Sequence, residues 1–120
     1  MRTFALPIEK DLGLQSIIAQ HFGRAPAYAI VTESKELIST INNISDHFGG
    51  KGKPPELLKD KKIDVLLCGG LGPKAIKQFE NFGIEVFVGA KGTVEETINL
   101  FKAGQLSMAS DENACKEHRH

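Results

Sequence analysis

Apolar positions change their spacing several times along the chain, and each spacing predicts a different element. Residues 2–8 are mainly apolar after Arg2 and stop at Glu9-Lys10-Asp11, which predicts a first strand ended by a turn. Residues 14–22 show no clean period and fit strand or loop equally. Residues 27–32 and 36–42 are two β-rich runs parted by Glu33-Ser34-Lys35, the spacing of an antiparallel hairpin. Residues 47–55 hold Gly49, Gly50, Gly52, Pro54 and Pro55 and read as an exposed, mobile loop. Proline suits a first helical turn, so residues 55–61 predict a short helix.

The second half alternates between strand and helix. Residues 63–68 are apolar except Asp64, as in a strand covered on both faces. From Pro73 onward, Ala75, Ile76, Phe79 and Phe82 fall on one side of a helix that Gly83 stops. Residues 84–88 predict a second buried strand. Thr93 and Glu96 have capping-box spacing, ahead of a helix that buries Val94, Ile98 and Phe101, exposes Glu95 and ends at Gly104. So short a strand–helix–strand crossover predicts a parallel, right-handed pair. An antiparallel front half and a parallel back half predict a mixed sheet with helices packed on it, an α/β protein. Residues 107–120 have too little apolar content to form core and are expected to make a flexible polar tail.

Composition narrows the function. A chain of 120 residues fits one domain, and 41% hydrophobic with 25% charged residues marks it as an ordinary globular one. Lys plus Arg equals Asp plus Glu at 15 each, so no net field draws it to nucleic acid or to an acidic membrane. Cys68 and Cys115 are the two cysteines, too few for a disulfide framework. The apolar start is too short for a signal peptide and no run is long enough to span a bilayer, so a cytoplasmic location is expected.

Four segments carry candidate chemistry. In His21-Phe22-Gly23-Arg24-Ala25-Pro26, Phe22 can anchor the segment, Gly23 permits a tight turn, and Pro26 fixes the entry to the next strand. His21 and Arg24 are then left projecting. Imidazole ligates iron and other transition metals, and guanidinium pairs with carboxylates. A backbone-bonded loop histidine beside a solvated arginine would give the same pattern. In Cys68-Gly69-Gly70-Leu71-Gly72-Pro73, followed by Lys74, a strand-to-helix turn can cradle an anion on free amides. Residues 70–75 loosely match a dinucleotide fingerprint, but Gly89-Ala90-Lys91 stands where its acidic residue belongs. Tight turning and close helix packing alone also explain these glycines. Asp46-His47-Phe48-Gly49-Gly50-Lys51-Gly52-Lys53 is a histidine with a basic glycine loop, able to close over an anion or to be plain surface. Cys115, His118 and His120 in the tail are possible soft metal ligands, without the second pair a zinc finger needs. No phosphate-binding Gly-Lys-Ser/Thr loop, His-Glu-x-x-His helix or Gly-x-Ser-x-Gly elbow occurs.

The order of the His21–Pro26 segment, the glycine loop 49–52, Gly69-Gly70-Leu71-Gly72-Pro73-Lys74-Ala75 and Gly89-Ala90-Lys91-Gly92-Thr93-Val94-Glu95-Glu96 resembles the dinitrogenase iron–molybdenum cofactor biosynthesis family. The resemblance covers residues 2–106, which would form one cofactor-binding-like domain, with 107–120 as its tail. It implies a ribonuclease H-like three-layer fold with a five-stranded mixed sheet flanked by helices. It also implies a carrier of an iron–molybdenum cofactor or iron–sulfur cluster as cargo, with no catalysis of its own and with cofactor-assembly proteins as partners. His21 would be the favoured cluster ligand. Phe22, Gly23, Arg24, His47, Lys51, Gly69, Gly70, Gly72 and Lys74 would surround an anionic cargo. No cysteine-rich radical-SAM segment is present, so carriage and not cluster synthesis is implied. A module for a small anionic metabolite, or one for a protein partner, is the alternative.

Overall fold

The computed structural model describes residues 2–42 and 62–109. Its centre is β1 (Thr3–Ile8), which pairs antiparallel with β2 (Ala27–Thr32) along its full length. On its other flank β1 runs parallel to β4 (Val65–Cys68), in register at Phe4 and Ala5. Pro7 is tolerated inside β1 because its missing donor faces neither ladder. Its carbonyl accepts from Ala19 N–H at 2.9 Å, so that side of Pro7 meets the following loop. β2 turns back into β3 (Leu37–Asn42) as the expected hairpin, with a register shift at Ile30/Val31.

The back half follows the predicted alternation. β4 leads through α1 (Pro73–Asn81) to β5 (Glu85–Val88), which lies parallel beside β4. α2 (Val94–Lys102) then leads to β6 (Ser107–Met108), antiparallel on β5. The sheet order is β3-β2-β1-β4-β5-β6. Period-two alternation sorts its side chains onto two faces. Ala5, Tyr28, Ile30, Leu66, Cys68 and Val86 pack on one side with Phe22 and with Ile76 and Phe79 of α1. Phe4, Leu6, Ile8, Val31, Val65 and Leu67 pack on the other with Val94 and Ile98 of α2. Both faces of β4 are covered, which is why its sequence is a continuous apolar run.

Four details correct the sequence reading. The sheet has six strands, where five were expected. The sixth comes from the stretch read as polar tail: Ala109 is buried, and its N–H donates to the Val86 carbonyl at 2.8 Å. Backbone pairing recruits these residues, a force that apolar content does not report. Phe82 was expected on the packed side of α1, but it is the C-cap residue and is exposed, because the chain turns away at Gly83 (φ +80°). Glu95 was expected in solvent, yet it is half-buried, accepting from Gln15 at 3.3 Å and facing Lys35 at 3.8 Å. The helix expected over 55–61 lies outside the described residues, as does the loop 47–55, most of which is glycine, proline and lysine.

Candidate functional site

β1, β4 and β5 are mutually parallel, so their carboxyl ends open on one edge of the sheet, the usual place for ligands in such folds. Three segments meet there: the long loop after β1, the turn after β4 and the turn after β5. The ambiguous stretch 14–22 proves to be neither plain strand nor plain loop. It makes a 3-10 turn at Gly13–Gln15, isolated bridges at Ile17 and Ile18, and a second 3-10 turn at Phe22–Arg24. Ile18 N–H donates to Gly92 O, and Val94 N–H donates to Ser16 O, both at 2.9 Å. The loop after β1 is thereby tied to the start of α2.

The His21–Pro26 segment is built as its residues suggest. Phe22 is buried, 5.0 Å centroid to centroid from Tyr28 and 5.5 Å from Phe79. The Tyr28 hydroxyl donates to the Phe22 carbonyl at 2.7 Å. His21 and Arg24 flank this anchor and are exposed. The Arg24 N–H donates to the His21 carbonyl at 3.2 Å, closing the turn.

The turn after β4 runs alongside the turn after β5. Ala90 N–H donates to Cys68 O at 3.0 Å and Gly89 N–H to Gly69 O at 3.3 Å, so the strand pairing continues past both strand ends. Gly70, Gly72 and Lys74 are exposed. Gly72 is the N-cap of α1 and Pro73 its first residue, which leaves the first-turn amides with no capping side chain. Gly69 is closely approached by the loop after β1. A Cβ there would lie 3.3 Å from Gln20 Oε1 and 3.6 Å from the Ala90 carbonyl. Cys68, just below, is fully buried, and burial pushes its thiol up to about 12, so it stays neutral.

The loop after β5 is held by α2. The Thr93 hydroxyl accepts from Glu96 N–H at 3.2 Å while Glu96 Oε1 accepts from Thr93 N–H at 2.9 Å, the capping box its spacing predicts. Buried Thr97 donates its hydroxyl to the Lys91 carbonyl at 2.9 Å.

The structure therefore sets Gln20, which leads into the His21–Arg24 turn, against Gly69 at the head of the Gly69–Lys74 turn. His47, Lys51, Lys53, Cys115, His118 and His120 lie outside the described residues. Among the described residues no three of His, Cys, Asp and Glu converge as a metal site, and Arg24, Lys74 and Lys91 make no salt bridge. Also among them, no helix is long and apolar enough to cross a membrane. Two residues escaped the sequence reading. Gln20 sits in a stretch without a period and belongs to no motif, so nothing marked it. Thr97 did carry a signal, being a hydroxyl on the apolar face shared by Val94 and Ile98.

A mixed-sheet α/β protein whose loops gather at the carboxyl ends of its parallel strands is thus defined. Residues 3–104 match the family described as dinitrogenase iron-molybdenum cofactor, and the chain belongs to that family. An uncharacterized protein of Methanocaldococcus jannaschii is 28% identical over 108 residues, 85% of this chain and 86% of its own length. The apo form of the orange protein of Desulfovibrio gigas superposes with a TM-score of 0.80 at 27% identity, covering 91% of this chain and 93% of that one. A candidate NifB protein of Thermotoga superposes with a TM-score of 0.73 at 28% identity, covering 90% and 93%.

Proposed function

We propose that the protein binds a metallocluster, an iron–molybdenum cofactor-like or iron–sulfur cluster, at the carboxyl ends of its parallel strands and carries it in cofactor assembly without transforming it. The observation that carries this reading is the approach of Gln20, just before the His21–Arg24 turn, to Gly69 in the glycine turn after β4. An exposed imidazole on a rigid anchor supplies a metal ligand, while Arg24, Lys74 and the uncapped amides of α1 suit the negative charge of a cluster. One ligating side chain holds a cluster weakly, which suits cargo that must be released. Family membership and the likeness to the orange protein, solved in an apo form, support the same reading. A strand order with an antiparallel β1-β2-β3 unit beside parallel β4 and β5 supports the ribonuclease H-like class for the fold. The working location in this proposal is the cytoplasm, with cofactor-assembly proteins as donor and acceptor.

The test is anaerobic titration of wild type and His21→Ala with extracted iron–molybdenum cofactor, followed by visible and EPR spectra. Wild type should show the spectra of a bound cluster at equilibrium in the titration and the variant should not. A wild type that shows none refutes the reading. One observation favours a second reading, a module for a small anionic metabolite: a cavity of about 430 Å³ lined by Lys91, Gly92, Glu96, Asn99 and Leu100, which adjoins the turn after β5. Thermal stabilisation by carboxylate or phosphate ligands without metal would support it.

A further inference from the structure

We propose that Gln20 is a specificity-determining residue of this site, whose neutral carboxamide contacts the anionic cargo and which a carboxylate could not replace; this rests on the cluster-binding reading above. The backbone of Gln20 is held on both sides. Ala19, before it, is buried and donates its N–H to Pro7 O at 2.9 Å. Phe22, shortly after it, is locked into the core between Tyr28 and Phe79. A side chain starting from so fixed a point reaches a small region of space.

That region is the turn after β4. Both Gln20 Oε1 and the Gln20 carbonyl oxygen lie against Gly69, 3.3 and 3.8 Å from where a Cβ would stand, and the Ala90 carbonyl is 3.6 Å from the same point. Gln20 therefore carries its side chain from the loop after β1 onto the turn after β4. It is exposed, and its carboxamide makes no hydrogen bond among the described residues. A carboxamide offers two N–H donors and a carbonyl acceptor, so it is equipped to bond a ligand seated at these turns. Oxygen and nitrogen of the amide exchange by a half-turn that costs no space, so donors can be presented to an anion.

Charge makes the assignment testable. Glutamate has the shape of glutamine, but it would place a negative charge beside the cargo while Arg24 and Lys74 remain. Gln20→Glu should weaken cluster binding about tenfold or more at low salt, and the deficit should shrink as salt screens the repulsion. Gln20→Ala, which removes the donor without adding charge, should weaken it about three- to tenfold. Neither should lower the melting temperature, because the side chain is exposed and unbonded. The probe is extracted iron–molybdenum cofactor, titrated anaerobically into wild type, His21→Ala, Gln20→Ala and Gln20→Glu in low and high salt. If wild type binds, His21→Ala fails to bind and both Gln20 variants bind like wild type, the Gln20 assignment is overturned while the carrier reading stands. If wild type binds nothing, both fall. A Gln20→Glu deficit that does not respond to salt also overturns the assignment, since it would reflect shape and not charge.

Discussion

Gly92 lies where the loop after β5 enters α2, and its replacement by alanine gives a worked test of that geometry. Gly92 has φ +75°, a region where an L-residue costs about 1–2 kcal/mol. A methyl group there would also overlap the Glu96 carboxylate. The carboxylate must then leave, and Thr93 N–H loses the acceptor it holds at 2.9 Å, worth about 1 kcal/mol at this exposed position. Gly92→Ala should therefore destabilise by about 2–3 kcal/mol, a fall of roughly 8–12 °C in Tm for a domain of this size. Glu96→Ala alone removes half of the capping box and should cost about 1 kcal/mol. In the Glu96→Ala background the methyl has room, so only the backbone term is left. The double variant should be about 1 kcal/mol more stable than the sum of the two single losses predicts. Urea unfolding of the four proteins, fitted to two states, measures that coupling. Additivity within about 0.5 kcal/mol, or a Gly92→Ala loss under about 1 kcal/mol, would refute the reasoning. The same variant should speed hydrogen exchange at the amides of Ile18 and Val94, which bond across to the Gly92 carbonyl and to Ser16.

Two further outcomes follow from the core beneath the site. Phe22→Ala should cost about 3–5 kcal/mol in urea unfolding, because it empties a buried position between two aromatic rings, whereas Phe22→Leu should cost clearly less; equal losses would mean that the anchor is not packed as described. Cys68 should make stability fall in alkali. Its thiol is raised from 9.0 to about 12 by burial, so the unfolded chain ionises first, and its contribution is complete below about pH 9 and lost on the way to 12. The slope should reach about 1.4 kcal/mol per pH unit and be missing from Cys68→Ala, and identical pH profiles for the two proteins would contradict it.

The local elements were legible in the residues because local chemistry decides them. The Thr93–Glu96 box, the Pro73 start and Gly83 stop of α1, and the uninterrupted apolar run of β4 each follow from a few neighbouring side chains. Phe22 was legible as an anchor for the same reason: a large aromatic among small and polar residues has one sensible place. The placement of His21 and Arg24 outside the core followed from it. The role proposed for them rests on the resemblance of four ordered motifs, since one histidine has no meaning by spacing alone.

What the sequence determined by itself was the class of the protein, its hairpin followed by a parallel unit, and the turns that carry the candidate chemistry. Tertiary structure decided which of those turns meet. Gln20 had no pattern to mark it, because what singles it out is its approach to Gly69, 49 positions on, created only when β1 and β4 lie side by side. The sixth strand was equally hidden: Ser107 and Met108 are exposed, and backbone hydrogen bonds to β5, not apolar side chains, put them in the sheet. Period and propensity report how a side chain meets water or its near neighbours. Contacts between distant segments depend on how the whole sheet is assembled, and that information is spread over every strand that builds it.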